Sequence, residues 1–249
     1  SSQYVSALLM LAACGEAPIE VALTGKDIGA RGYVDLTLDC MRAFGAQVEV
    51  VDDTRWRVAP TGYTAHDYLI EPDASAATYL WAAEVLTGGH IDIGVAAQDF
   101  TQPDAKAQAV IAQFPHMPAS VVGSQMQDAI PTLAVLAAFN NTPVRFTELA
   151  NLRVKECDRV QALHDGLNQI RPGLASIEGD DLLVASDPAL AGTSCTALID
   201  THADHRIAMC FALAGLKVSG VRIQDPDCVA KTYPEYWKAL GSLGVALSY

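Results

Sequence analysis

Two stretches of the sequence, residues 2–59 and 128–185, have the same order of predicted elements, and this repeat constrains the fold more than any other feature. In each stretch an apolar helix precedes a strand, and a second helix leads through glycine into two strands joined by an acidic turn. The segments "MRAFGAQVEVVDDTRWRVAP" and "NQIRPGLASIEGDDLLVAS" share this layout. A repeated supersecondary unit predicts an assembly of similar α/β modules.

The hydrophobic periods and turn residues predict elements along the whole chain. Helices are predicted at 2–13, 34–44, 73–86, 103–113, 128–139, 153–170, 204–216 and 234–243. Strands are predicted at 19–24, 47–51, 55–59, 67–71, 90–95, 143–147, 174–178, 181–185 and 220–224, with a last strand at the end of the chain. The change of pattern near 60–70 predicts a domain boundary, which divides the chain into 1–66 and 67–249.

Composition narrows the classes of partner. The chain has 249 residues, 51% of them hydrophobic, but no apolar run reaches the roughly 18–20 residues that a membrane helix needs. A net charge of -13 argues against nucleic acid and anionic membranes as partners. Six scattered cysteines without a CxxC pair favour reduced, buried thiols and a cytoplasmic location.

The stretch "NLRVKECDRV", residues 151–160, is the most charged helix start in the sequence. Asn151 is predicted to cap the helix, which places Lys155 and Arg159 on one face with Glu156 beside them. Two cations at the positive end of a helix favour a bound anion, which the backbone N–H groups would also bind. The alternative is a solvated face on which the acidic residues balance the cations.

The stretch "DTHADHRIAMC", residues 200–210, allows three interpretations. Asp200, His202, Asp204 and His205 resemble metal ligands, although the spacing matches no zinc signature closely. Alternatively, Asp204 caps a helix whose first turn presents His205 and Arg206 to an anion. The third interpretation is a capped helix with a histidine on the surface.

Three further positions carry polar groups at helix starts or loop ends. Lys231 lies in the acidic loop "DPDCVAKTYPEYW", Asp128 lies in "SQMQDAIPT", and Ser1, Ser2 and Gln3 lie at the start of the first helix. Each alone is also typical of an ordinary surface lysine or a helix cap. Together with the two charged stretches they suit a site for anionic, phosphorylated ligands.

The order of these five motifs closely resembles the 5-enolpyruvylshikimate-3-phosphate synthase (3-phosphoshikimate 1-carboxyvinyltransferase) family, over the whole chain. The resemblance implies an α/β (α+β) enolpyruvyl transferase fold with two domains, each built of βαβαββ units around a pseudo-threefold axis. The ligands would bind between the domains. The segment 103–127 is shorter than the usual unit, so we expect a missing strand pair there.

The resemblance also implies a reaction and roles for named residues. The 5-hydroxyl of shikimate 3-phosphate would add to phosphoenolpyruvate and phosphate would leave, without a metal or an organic cofactor. Asp128 would take the hydroxyl proton, and Glu156 would act as acid and base at the phosphoenolpyruvate methylene. Shikimate 3-phosphate would be bound by Ser1, Ser2, Gln3, Tyr33, Asp128, Asn151 and Lys155. Phosphoenolpyruvate would be bound by Gln3, Arg159, His205, Arg206 and Lys231.

The sequence departs from the family's pattern in ways that leave alternatives open. About two fifths of the usual enzyme, on the N-terminal side, has no counterpart, so we expect a companion N-terminal polypeptide or a longer parent protein. Ala30 replaces the usual serine of a phosphate-binding stretch, where Arg31 would have to compensate. The rival functions are an enolpyruvyl transferase acting on UDP-N-acetylglucosamine, a metal hydrolase built on "DTHADH", and a non-catalytic remnant with intact pockets.

Overall fold

The chain folds into two compact units in a computed structural model that describes residues 2–25 and 29–248. The first unit comprises Ser1–Pro72 with Phe100–Pro103, and the second comprises Asp73–Asp99 with Asp104–Tyr249. The division into domains 1–66 and 67–249 stays a prediction. No helix in the described part of the chain is both long and apolar enough to cross a bilayer.

The first unit is one αβαββ module. Its elements are α1 (Ser2–Ala12), β1 (Ile19–Ala22), α2 (Arg31–Ala43), β2 (Val48–Asp52) and β3 (Arg55–Val58). The strands form an antiparallel sheet in the order β1-β3-β2, with Val21 opposite Trp56. The two helices pack on this sheet because their buried faces are apolar; the core is formed by Val5, Leu9, Ala12, Ala13, Val34, Leu38, Met41, Ala46, Trp56 and Val58.

The second unit contains the remaining elements. They are α3 (Ala74–Thr87), α4 (Ala107–Ile111), β4 (Ser120–Val122), α5 (Ile130–Ala137), β5 (Val144–Thr147), α6 (Arg159–Ile170), β6 (Ala175–Glu178), β7 (Asp181–Val184), β8 (Leu198–Ile199), α7 (His205–Gly215), β9 (Arg222–Ile223) and α8 (Tyr236–Ser242). One sheet has the order β4-β5-β7-β6, and β8 pairs in parallel with β9.

The predicted repeat is confirmed by the strand order. In both modules the last strand lies between the other two and pairs antiparallel with each, so β5-β7-β6 repeats β1-β3-β2. In the second unit β4 adds in parallel to β5, which completes a βαβαββ module over 120–184. Between α4 and β4, residues 112–119 contain no strand.

Three predicted strands are wrong. Residues 67–71 run exposed, with Leu69 95% accessible, and pair with no strand within 2–25 and 29–248. Residues 90–95 form a turn in which the Asp92 carboxylate accepts the Gly94 N–H at 2.8 Å. Residues 245–248 at the end of the described chain form no strand. Conversely, the short strands β4 and β8 were not predicted, and the helix at 103–113 is a 3₁₀ turn (Pro103–Lys106) followed by α4.

The helices of the second unit pack tightly around α5. All eight residues of α5 are buried, which explains why its sequence is apolar on every side. Helices α6 and α7 approach each other where Gly166 faces Phe211. A Cβ atom at Gly166 would lie 2.3 Å from the ring carbon Cζ of Phe211, so this contact requires glycine.

We expect Gly166→Ala to lower the free energy of unfolding by about 1–3 kcal/mol, because overpacking outweighs the gain in helix propensity. The matched control is Gly241→Ala in α8, where a Cβ atom would meet nothing within 4 Å. That change should leave stability unaltered or raise it by up to about 1 kcal/mol. Denaturant unfolding followed by circular dichroism measures both, and equal effects of the two changes would contradict the packing argument.

Candidate active site

The charged stretch 151–160 folds differently from the prediction. A 3₁₀ turn spans Ala150–Val154, and α6 begins only at Arg159. The cap is Asp158, whose carboxylate accepts the Gln161 N–H at 3.0 Å, so the prediction of Asn151 as the cap is wrong. Lys155 follows the 3₁₀ turn with φ -87° and ψ -147°, outside any helix, and therefore does not share a helix face with Arg159. Asn and Asp cap helices about equally well, so residue type alone does not choose between the two positions. At Asp158 the second carboxylate oxygen also accepts a hydrogen bond from Arg153 at 2.8 Å, which holds the cap in place.

Arg159 is the centre of the site. It is 1% exposed, and its guanidinium contacts three carboxylates. Nε donates to Asp204 at 2.7 Å, Nη1 to Asp128 at 2.8 Å, and Nη2 to Glu156 at 2.6 Å. A buried cation needs counter-charge and hydrogen-bond partners at once, and this fork-shaped group obtains both.

Asp128 lies just before α5 and contacts three cations. Besides Arg159, Arg206 donates from Nη2 to its second oxygen at 3.2 Å, and Lys155 Nζ lies 3.6 Å from the first. Burial alone would raise the pKa of Asp128. The positive charges of Arg206, Lys155 and Arg159 outweigh burial and lower that pKa to about 2.

Glu156 joins the cluster from the loop before α6. It accepts hydrogen bonds from Arg159 and from Lys231, which arrives from the 3₁₀ turn Pro226–Lys231. Partial burial raises the pKa of Glu156, but Lys231 and Arg159 lower it to about 2. The structure therefore brings together six predicted site residues from distant parts of the sequence: Asp128, Lys155, Glu156, Arg159, Arg206 and Lys231.

Asp204 belongs to this cluster, although the sequence suggested only a cap or a metal ligand. Its prediction as the cap of α7 is confirmed, since it accepts the Arg206 N–H at 2.8 Å. It is fully buried and also bonds Arg159, which links the first turns of α6 and α7. Asp204 directly precedes His205 and Arg206, and this position in the sequence could have identified it as a member of the site.

His205 lies beside these charges in the first turn of α7. It is 1% exposed, and neither ring nitrogen has a hydrogen-bond partner among the described residues. Burial and the nearby Arg206 lower the pKa of His205 to about 4, so the ring is neutral at pH 7. An unpaired buried imidazole can bind a ligand group from one nitrogen.

The other predicted site residues belong to other elements of the chain. Asn151 is half-buried in the 3₁₀ turn before Lys155. Ser2 and Gln3 begin α1, and Tyr33 lies in the first turn of α2, all in the first unit. Ser1 lies outside the described residues. Ala30 is buried with a positive φ of 59°, and Arg31 contacts Asp35 and the face of Trp56 within its own unit.

The stretch 200–205 does not gather as metal ligands. Both oxygens of Asp204 are bonded to protein groups, and His202 has a positive φ of 51° in a surface turn. Among the described residues, no three His, Cys, Asp or Glu side chains are arranged to hold a metal ion. All six cysteines are free thiols; only Cys210 is buried, so the prediction that most are buried is wrong.

Chemically, the cluster combines four cations with two partly accessible carboxylates. Lys155, Arg206 and Lys231 can hold anionic oxygens once their carboxylate partners release them. Asp128 and Glu156 can transfer protons when their pKa values rise toward neutrality. The arrangement therefore fits acid–base chemistry on an anionic ligand.

The same carboxylates predict how stability depends on pH. Asp128 and Glu156 have a folded pKa of about 2, against about 4 in an unfolded chain. A depressed folded pKa contributes stability that is present above the unfolded value and is lost as the pH falls toward 2. We expect Asp128→Asn to make the decline between about pH 5 and 2 shallower, by up to about 1.4 kcal/mol per pH unit.

Thermal unfolding between pH 7 and 2 measures this decline. The control is Glu235→Gln, which removes a carboxylate from an exposed pair with Lys238 and should leave the slope as in the parent chain. His205 adds a separate loss between about pH 6.5 and 4, because its folded pKa is lowered. An unchanged acid slope in Asp128→Asn would show that this carboxylate is not ion-paired in solution.

Comparison with known proteins identifies the family. A family profile described as EPSP synthase (3-phosphoshikimate 1-carboxyvinyltransferase) matches residues 1–240. The chain is 70% identical over 247 residues to a 3-phosphoshikimate 1-carboxyvinyltransferase of Pseudomonas syringae pv. syringae, covering 99% of this chain and 59% of the relative. It is 68% identical over 245 residues to one of Rhizobium etli, covering 98% of this chain and 58% of the relative.

Solved structures show the fold. An EPSP synthase from Acinetobacter baumannii superposes with a TM-score of 0.72 at 21% identity, covering 97% of this chain and 60% of that one. The enolpyruvyl transferase NikO from Streptomyces tendae gives a TM-score of 0.61 at 17% identity, covering 95% of this chain and 57% of that one. These neighbours confirm the predicted enolpyruvyl transferase fold. The chain spans about 59% of the length of the curated relatives it matches.

With its repeated modules, its five motifs and the profile match over nearly its whole length, the chain belongs to the EPSP synthase family.

Proposed function

We propose that this chain forms part of an enzyme that transfers the enolpyruvyl group of phosphoenolpyruvate to the 5-hydroxyl of shikimate 3-phosphate, with release of phosphate. This is a step of the shikimate pathway toward aromatic amino acids. The observation that carries the proposal is the cluster around Arg159, in which Asp128 and Glu156 alternate with Lys155, Arg206 and Lys231. Relatives at about 70% identity carry the name of this activity.

The reaction needs one base at the hydroxyl and one acid at the methylene carbon. In the proposed mechanism Asp128 takes the proton of the 5-hydroxyl as its oxygen bonds to C2 of phosphoenolpyruvate, and Glu156 protonates C3. Glu156 then takes a proton back from C3 as the bond between C2 and the phosphate oxygen breaks. The proton that Asp128 took from the hydroxyl passes through solvent to the released phosphate, which returns both carboxyl groups to their starting states. Neither step requires a metal or an organic cofactor. The cations around the site stabilise the negative charge that develops on the departing phosphate.

The ion pairs explain how two carboxylates with low pKa values can act as acid and base. Without substrate, Arg206 and Lys231 neutralise Asp128 and Glu156. The carboxylate and phosphate of phosphoenolpyruvate compete for these cations. As each cation turns to the substrate, the pKa of the carboxylate it leaves rises toward the working pH. Binding and activation are thereby coupled in the proposal.

The remaining residues extend the proposal to both substrates. Lys155 and Asn151 bind shikimate 3-phosphate, together with Ser1, Ser2, Gln3 and Tyr33 of the first unit. Arg159, Arg206, Lys231 and the neutral His205 bind phosphoenolpyruvate, together with Gln3. The buried ring of His205, whose nitrogens accept or donate no hydrogen bond among the described residues, supports this role because it lies next to Arg206 at the start of α7.

A companion N-terminal polypeptide, or the corresponding part of a longer protein, is also proposed. Helix α1 exposes a continuous apolar face, with Tyr4, Leu8 and Leu11 between 54% and 75% accessible. Such a face is typical of a surface that another segment covers. We propose a cytoplasmic location with small-molecule substrates, and neither nucleic acid nor membrane as a partner.

The names of the relatives also bear on the choice between the alternative functions. Those of 68–71% identity are named for shikimate 3-phosphate transfer, which does not favour UDP-N-acetylglucosamine as the acceptor. A remnant without activity would have no need for both Asp128 and Glu156, so the presence of both carboxylates favours an enzyme. Phosphate release measured with each acceptor in turn separates the two transferases.

We expect this chain alone to release no phosphate above background from phosphoenolpyruvate and shikimate 3-phosphate. Added to a polypeptide that corresponds to the remaining two fifths of a relative, it should turn over. The measurement is phosphate release, alongside native mass spectrometry of the mixture. Appreciable turnover by the isolated chain would contradict the need for a companion, and a mass-verified complex without turnover would contradict the proposed function.

In the active assembly, Asp128→Asn and Glu156→Gln should each lower kcat about 10²–10⁴-fold, because each removes a proton-transfer group while keeping the side-chain volume. Glu235→Gln, in the exposed pair with Lys238, is the matched control and should keep the parent kcat. Full activity of either site variant would remove that carboxylate from the mechanism.

A further inference from the structure

Glu148 has a backbone conformation that its residue type does not favour. Its φ is 59°, in the left-handed region, where a Cβ atom clashes with the backbone and glycine fits without cost. The residue follows directly after β5. Retaining a long charged side chain at such a position suggests that the side chain itself is used.

The Glu148 side chain reaches the end of the neighbouring strand. Ser124, 9% exposed, donates from Oγ to Glu148 Oε2 at 2.5 Å. Strands β4 and β5 are parallel neighbours with Val122 opposite Thr147, so both residues leave the same carboxyl edge of the sheet. The Ser124–Glu148 hydrogen bond therefore joins the two connections that leave this edge.

Each of these connections carries part of the proposed site. The first runs from Gly123 to Asp128, four residues beyond Ser124, and the second runs from Glu148 to Lys155 and Glu156. The backbone bond from Gly123 N to Thr147 O, 2.9 Å long, already closes the sheet edge. The side-chain bond holds the segment beyond that point.

We infer that Glu148 is a positioning residue, which through Ser124 holds the segment 123–128 and so places Asp128 within reach of Arg159, Arg206 and Lys155. The effect of Glu148 on turnover rests on the proposed function. The positioning itself is a property of the folded chain and can be measured without activity.

The first experiment is hydrogen exchange of the folded chain over residues 124–129, where the Met126 N–H donates to Gly123 O and the Ala129 N–H donates to Met126 O. We expect Glu148→Gly and Ser124→Ala each to speed exchange there by about fivefold or more, since each removes the same bond. The double variant should exchange no faster than the faster single variant. Ser124→Ala leaves the backbone at Glu148 unaltered, so its result does not depend on the added freedom of glycine.

The matched control is Ser186→Gly. Ser186 has the same φ of 59° and also makes a side-chain bond, to Thr142 O at 2.8 Å, but it lies outside the proposed site. It should leave exchange over 124–129 unchanged. Parent-like exchange in both Glu148→Gly and Ser124→Ala would overturn the inference.

The second experiment measures turnover in the assembly with a companion. Glu148→Gly should lower kcat about fivefold or more while its melting temperature stays equal to or above that of the parent, because glycine relieves the backbone strain. If Glu148 only stabilised the fold, its replacement would lower the melting temperature and leave kcat unchanged. Full kcat in Glu148→Gly overturns the positioning role. Absence of turnover in the parent assembly instead counts against the proposed function. In that case the hydrogen-exchange result alone decides the inference.

Discussion

A guanidinium that is 1% exposed requires counter-charge on every side, and the arrangement of the site follows from how Arg159 obtains it. Asp204 supplies one carboxylate from the start of α7, Asp128 a second from before α5, and Glu156 a third from the loop before α6. Removing any one of them would leave buried positive charge in excess. The three helix starts are therefore held together by electrostatics as much as by the apolar contacts beneath them.

This arrangement also sets the resting state of the proposed chemistry. Carboxylates that neutralise cations have a low pKa and are poor acids and bases at neutral pH. An anionic substrate competes for the same cations. The groups that would bind the substrate are thus those that restrain the carboxylates until it arrives, which explains why the cluster contains more cations than a single anion would need.

The helices beneath the site are closely packed. Helix α5 is buried on all sides, and the contact of Gly166 with Phe211 brings α6 and α7 close together. Two parallel strands, β4 and β5, end side by side and send their connections into the site. In open α/β sheets the carboxyl ends of parallel strands are common places for ligand sites. Here the bond between Ser124 and Glu148 lies at that edge.

The sequence by itself determined the modules, most helices, the cap at Asp204 and the identity of the charged residues, because helix period, turn residues and motif order are local properties. The predicted start of α6 was too early, because Asn and Asp cap helices about equally well and the sequence alone does not choose between Asn151 and Asp158. It predicted a strand at 67–71 and missed β4 and β8. Only the tertiary structure decided which short segments find a partner strand and which carboxylates besides the neighbouring Glu156 surround Arg159, because both depend on contacts between residues tens of positions apart.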